Sequence, residues 1–301
     1  MRPLPALSRS RRNRCRRAVE ANRGIRARYA REITKLINSS NMLLINFVLC
    51  DLRDSGYQGF TDVVTTAHDA NPFTALKGFG KRAVKAMTDI LLGMGKTIKQ
   101  ISHWFCTGMI KSTTAAQVDA MRKAGLSEAF IREKWTTHQI GGQYIAPEVE
   151  EIVPKIIQDQ TTLITRLASE DLQRIQTAVV TSLDAGVNIN DLEATLRGIS
   201  GFSPRRAQLV AMDQTNKLNI TVQRANDLSL GFTRAVWIHV PGEFTSRETH
   251  REFNGQEFDL QEGMYDIDVG HNVQCAELPY CRCVYRTIIP EVFDDLGSSK
   301  K

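Results

Sequence analysis

Residues 203–242 read SPRRAQLVAMDQTNKLNITVQRANDLSLGFTRAVWIHVPG, and the chain changes its periodicity inside this stretch. Ser203 and Pro204 supply an N-cap and a first-turn proline, so a helix of about 25 residues starts there and Gly231 closes it. From Phe232 to Val240 the pattern alternates, with Val236, Trp237, Ile238 and Val240 β-branched or aromatic, and Pro241-Gly242 then turns the chain. Short strands and turns continue through Phe253-Asn254-Gly255-Gln256-Glu257-Phe258 to Cys281-Arg282-Cys283-Val284-Tyr285-Arg286. The fold class that follows is mainly α: a helical body with a small C-terminal α+β module of short strands.

Upstream, the periodicity is helical. Ile25, Tyr29, Ile33, Leu36 and Ile37 recur at three- and four-residue spacing, with Arg26, Arg28, Arg31 and Lys35 between them, which makes an amphipathic helix with a basic face. Asp54 to Pro72 reads as a loop, and Phe73 to Phe105 as a second helix interrupted at Gly93 and Gly95. Residues 111–200 read as short helices joined by capped turns. Ser127-Glu128 opens one, and Pro147 begins another that Pro154 bends. Ser169-Glu170-Asp171 starts a third, ended by Gly186, and Asn190-Asp191 caps the next. The expected division is a basic, disordered tail over 1–20, a helical body over 21–200, the module over 201–290 and a tail over 291–301.

The chain has 301 residues and a net charge of +6, unevenly placed. Residues 1–35 hold twelve Lys and Arg against Glu20 and Glu32, net +10, which leaves the other 266 residues at −4. Arg9, Arg11, Arg12, Arg14, Arg16 and Arg17 are therefore the candidate nucleic-acid-binding residues, able to neutralise phosphates of double-stranded DNA without regard to sequence. A solvated charge run is the plainer reading. No apolar segment follows the arginines, so a secretory signal is not expected; composition alone does not exclude an arginine-rich transit peptide. The longest apolar run, Met42 to Cys50, is broken by Asn46 and falls short of the roughly 20 residues a membrane helix needs, so no membrane span is expected. The six cysteines do not form a disulfide framework, and synthesis in a reducing cytoplasm is the expectation.

Potential metal ligands concentrate in the module: His239, His250, His271, Cys275, Cys281 and Cys283. Cys281 and Cys283 are two apart, which on a strand puts both thiols on one face. With His250 and His271 they could complete a tetrahedral zinc site, and structural zinc is the one cofactor the residues suggest. The spacing is not that of a standard zinc finger, and the reading favoured from sequence is that the thiols pack as small buried groups while His250 holds a loop. An enzymatic alternative, a metal-dependent nuclease using His250 and the Cys281/Cys283 cluster, lacks a second well-spaced ligand pair. Gly93-Met94-Gly95-Lys96-Thr97 lacks the first glycine and the preceding strand of a phosphate-binding loop. His68, His103 and His138 stand isolated and read as structural or surface residues.

An ordered set of motifs runs through the C-terminal part: Ser203-Pro204-Arg205-Arg206-Ala207, Asp213-Gln214-Thr215-Asn216-Lys217, Gly231, Ala235-Val236-Trp237, Ser246-Arg247-Glu248-Thr249-His250, Asn254-Gly255-Gln256-Glu257-Phe258 and Glu277-Leu278-Pro279-Tyr280-Cys281-Arg282-Cys283. This set resembles the bacteriophage Mu F-like minor head protein family, also called the phage head morphogenesis family, best from about residue 200 to 286. Two positions depart from the family pattern. Cys275-Ala276-Glu277 stands where relatives commonly have Pro-Gly-Glu, which removes a turn, and Met212 stands where an arginine is common.

The resemblance implies a minor capsid protein of a tailed phage: a virion component made in the host bacterial cytoplasm and associated with the portal vertex during procapsid assembly. The implied partners are the portal protein and inner capsid or scaffolding components. DNA packaging or ejection is the implied role, and no catalytic activity is implied. Arg247, His250, Gly255, Cys281, Arg282 and Cys283 carry over as structural or binding positions.

Overall fold

The computed structural model describes residues 16–57, 78–135, 138–140, 143–241 and 246–290. Arg9, Arg11, Arg12, Arg14 and His68, and the expected tail over 291–301, lie outside the described residues. The elements run in the order α1 (Arg23–Asp54), α2 (Phe79–Lys123), α3 (Glu128–Lys134), β1 (His138–Ile140), β2 (Gln143–Ile145), α4 (Pro147–Asp184), α5 (Ile189–Ile199) and α6 (Pro204–Ser229), then β3 (Arg234–Ile238), α7 (Glu248–Glu252), β4 (Glu257–Asp259), β5 (Met264–Asp266), β6 (His271–Val273) and β7 (Val284–Thr287). The molecule is mainly helical, with short antiparallel strands gathered towards the C-terminal end.

The described residues fall into two compact units that are not consecutive in sequence: those of 16–28, 103–157 and 208–290 form one, and those of 29–57, 78–102 and 158–207 the other. Helices α1, α2, α4 and α6 each supply residues to both. The second unit has a helical core in which Leu44, Ile45, Val48, Leu49 and Leu52 of α1 meet Leu172, Ile175, Val179 and Leu183 of α4 and Leu192 and Leu196 of α5. Asn41, fully buried in that stripe, donates to the Asp171 carboxylate and, at 2.8 Å, to the Ser200 carbonyl. By length and composition α1 could cross a bilayer, although no single apolar run in it is long. Its apolar stripe is instead buried in protein with Asn41, which is what a core helix does.

Local signals are kept where nothing distant overrides them. The Ser127 hydroxyl caps α3 by accepting from Phe130 N at 3.2 Å, and Ser203, Pro204 and Gly231 bound α6 as read. Asn188, rather than Asn190-Asp191, caps α5: its side chain accepts from both of those backbone N–H groups. Two expectations are corrected. Helix α2 runs unbroken through Gly93, Gly95 and Lys96 to Lys123, so the first of the expected short helices is its continuation. Helix α4 is continuous from Pro147 to Asp184 with Pro154 inside it. Ser169-Glu170-Asp171 does not start a helix there, because the Asp171 carboxylate accepts from Asn41 and pairs with Arg174 at 3.0 Å.

The first unit contains the strand module. β3 is the central strand of a three-stranded sheet, flanked by β4 and β7, and β5 pairs with β6. Trp237 fills its core, edge-on to His250, Phe253 and Phe258 at centroid distances of 5.4, 5.2 and 5.5 Å. Gly263 is required by space: a Cβ there would meet the Val273 carbonyl oxygen at 2.5 Å. The expected loss of a turn at Cys275-Ala276-Glu277 does not occur. Glu277 N still donates to Gln274 O at 3.2 Å, and Ala276 itself takes the positive φ of 58° that a glycine would take more easily.

The basic tail is ordered earlier than composition suggests. Arg16, expected to face phosphate, is fully buried, and its backbone N–H donates to Thr287 O at 2.9 Å. Its guanidinium pairs with Asp227 at 2.8 Å and donates to Thr287 Oγ1 at 2.8 Å. The Asp227 carboxylate also accepts from Tyr285 OH at 3.0 Å, Thr287 Oγ1 at 2.7 Å and Gln117 Nε2 at 3.2 Å. Burial, and the adjacent Asp227 charge, push the Tyr285 phenol well above its usual range. Asn219 and Gln223 each donate to the Val19 carbonyl at 2.9 Å, so residues 16–19 are bound into the core by α6. Arg17 stays exposed.

Candidate metal centre

Three segments bring sulfur and imidazole donors together. The register of β3 with β7 pairs Trp237 with Tyr285 and Ile238 with Val284, so its next step brings His239 opposite Cys283. Helix α7 carries His250, and the turn before β7 carries Cys281. The ligating atoms of His250, Cys281 and Cys283 all lie within 4.8 Å of one another, and all three residues are buried. His250 Nδ1 is 3.4 Å from Cys281 Sγ and 3.7 Å from Cys283 Sγ, and His239 Nδ1 is 3.6 Å from Cys283 Sγ.

The surrounding hydrogen bonds hold each donor in place. Asn254 Oδ1 accepts from His239 N at 3.0 Å, and Gly255, at φ 83°, donates its N–H to Trp237 O at 2.8 Å. The Arg247 guanidinium donates to Pro279 O with both terminal nitrogens at 3.4 Å. Tyr280, at φ 61°, donates its N–H to Asp213 Oδ1 at 2.7 Å, and Cys281 N donates to Leu278 O at 3.0 Å. On the far side of His250, Nε2 lies 3.3 Å from Asp266 Oδ2. Both atoms are buried, and neither makes a hydrogen bond among the described residues.

The electrostatics divide the two thiols. The hydrogen bond from Cys283 lowers the Cys281 thiol well below its usual range against its burial, with His250 adding to the fall. Cys283 is driven the other way by that same hydrogen bond and by burial. Burial, followed by the charge of Arg251, lowers the His239 imidazole and favours its neutral, ligating form. Such a donor set, two sulfurs and two imidazoles, suits a soft divalent ion.

The grouping differs from the one read in the sequence. His271 stays out: it is exposed on β6 with Nδ1 3.1 Å from Val269 O. His239 lies nearer, 3.6 Å from Cys283 Sγ, but outside the group of three whose ligand atoms are all within 4.8 Å of one another. Cys275 is buried, but its thiol points to Val284 O at 3.4 Å, and burial raises it well above its usual range.

The motif residues that run in order along the chain are those converging here: Asp213, Arg247, His250, Asn254, Gly255, Cys281 and Cys283. Residues 173–286 match the family model described as Phage Mu protein F like protein. This part of the chain is similar to that family. The Mu F-like segment begins within α4 and ends within β7, so it contains the whole Cys/His cluster and all of α6. Met212, where an arginine is common, is buried on α6. A protein of Haemophilus influenzae described as uncharacterized is 29% identical over 137 residues. That alignment covers 44% of this chain and 30% of the Haemophilus protein. No solved structure matches the chain.

Proposed function

We propose that this chain is a minor capsid protein of a tailed bacteriophage that acts in head morphogenesis at the portal vertex. The observation that carries this reading is the Mu F-like match over residues 173–286, whose ordered motifs build one connected module. In this reading the protein is a virion component made in the host bacterial cytoplasm. Its partners are the portal protein and inner capsid or scaffolding components, and it assists DNA packaging or ejection. We read it as non-enzymatic. A hydrolytic metal site needs an open position for water, whereas His250, Cys281 and Cys283 are buried.

Tyr265, Ile267 and Val269, exposed around the β5–β6 turn at 61%, 76% and 39%, supply the apolar contact surface for the head partner in this reading. The basic arm supplies the DNA contact through Arg9, Arg11, Arg12, Arg14 and Arg17, with Arg16 excluded by its pairing to Asp227. Co-purification with portal oligomers and recovery from mature particles test the assignment. Ile267→Glu should weaken portal capture while leaving the fold intact. Absence from particles and failure to bind portal would overturn the reading. Deleting residues 1–15, which spares the buried Arg16, should reduce salt-sensitive DNA binding; unchanged binding would remove DNA contact from the proposal.

A further inference from the structure

We propose that His239, His250, Cys281 and Cys283 hold one Zn²⁺ ion as a closed structural site. A tetrahedron with zinc–sulfur bonds near 2.3 Å and zinc–nitrogen bonds near 2.0–2.1 Å has sulfur–nitrogen edges of about 3.6 Å. The three sulfur–nitrogen separations here are 3.4, 3.6 and 3.7 Å.

Hydrogen bonding alone accounts for these contacts poorly. His250 Nδ1 faces two sulfurs at once, and one ring N–H can point at only one of them. Cys283 Sγ likewise faces two ring nitrogens. A single ion serves His250, Cys281 and Cys283, whose ligand atoms all lie within 4.8 Å of one another, and His239, 3.6 Å from Cys283 Sγ, turns in to close the fourth position when the ion binds. The far side of His250 agrees with this, since the fully buried Asp266 Oδ2 sits 3.3 Å from Nε2 and neither atom makes a hydrogen bond among the described residues. A carboxylate on Nε2–H fixes the tautomer that turns the Nδ1 lone pair towards the sulfurs, and metal-bound histidines are commonly oriented in this way.

Thiolate ligands select zinc over magnesium or calcium, and four protein ligands with none left to water mark a structural ion. The ion would join the end of β3, helix α7 and the turn before β7. The inference does not depend on the head-morphogenesis reading.

Elemental analysis of the full chain, purified without chelator and reconstituted with Zn²⁺, should find about one zinc per chain. Substitution with Co²⁺ should give tetrahedral d–d bands and a thiolate-to-cobalt charge-transfer band. Cys283→Ser should lose that band, His239→Ala should weaken Zn²⁺ affinity at least about tenfold, and His271→Ala should leave it unchanged. Chelation of the wild-type chain should lower its Tm, and Zn²⁺ should restore it, a readout that needs no variant to fold. The proposal is overturned by a reconstituted protein without stoichiometric metal, by a Tm indifferent to chelation, or by zinc held through His271 in place of His239.

Discussion

Asp213 on α6 accepts the backbone N–H of Tyr280 at 2.7 Å, and so a helix anchors the turn that delivers Cys281 from 67 residues away. The same carboxylate pairs with Lys217 at 2.8 Å. Asp213→Ala would leave the Tyr280 N–H without this acceptor and should cost about 1–3 kcal/mol in urea denaturation. Asp213→Asn keeps an oxygen for the N–H and should lose less, about 1 kcal/mol. Equal losses would show that the pairing with Lys217, rather than the turn, is what Asp213 supports.

Tyr280 itself sits at φ 61° with its side chain 45% exposed. A β-branched residue tolerates that backbone badly, whereas asparagine adopts it readily. Tyr280→Val should therefore destabilise by about 1–3 kcal/mol and Tyr280→Asn by under about 1 kcal/mol in thermal melts. The reverse order would mean that contacts of the ring, and not backbone strain, govern this position.

Arg16 and Arg17 are neighbours in sequence with opposite fates. Arg16→Ala strands the buried Asp227 charge and should cost about 3–5 kcal/mol. Arg17→Ala, at an exposed position, should change stability by no more than about 0.5 kcal/mol. Urea midpoints of the two variants decide the matter, and comparable effects would contradict the buried pair.

Cys106 on α2 is fully buried, and burial pushes its thiol from 9.0 up to about 12. A folded-state value above the unfolded one means that the contribution to stability is complete below pH 9 and is lost as the pH rises to about 12. Wild-type protein should lose stability across that window more steeply than Cys106→Ala. In the native state a thiol reagent should modify the exposed Cys50 at once and reach Cys106 only on unfolding.

Much of the architecture was legible because its signals are local. Ser127, Ser203-Pro204 and Gly231 act through their own backbone neighbours, and the alternation around Trp237 needs no distant partner to mark a strand. Ser169-Glu170-Asp171 misled because Asp171 answers to Asn41, 130 residues away, and not to a helix start. The donor set was half legible. Cys281 and Cys283 declare themselves by spacing, but which of His239 and His271 lies beside Cys283 turns on strand register. The signal was available in part: pairing Trp237 with Tyr285 in an antiparallel ladder sets His239 against Cys283. Arg16 could not be singled out, since nothing in a run of arginines marks the one that a carboxylate 211 residues on will bury.

The clasp between Arg16 and β7 also imposes an order on synthesis. Arg16 is made 271 residues before Thr287, the residue that receives both its backbone and its side chain. A growing chain therefore carries its arginine arm unanchored, and Asp227 without its full set of donors, until the last strand has been made. Any chain stopped short of that strand keeps the buried Asp227 carboxylate without its Thr287 and Tyr285 donors, which distinguishes unfinished copies from finished ones.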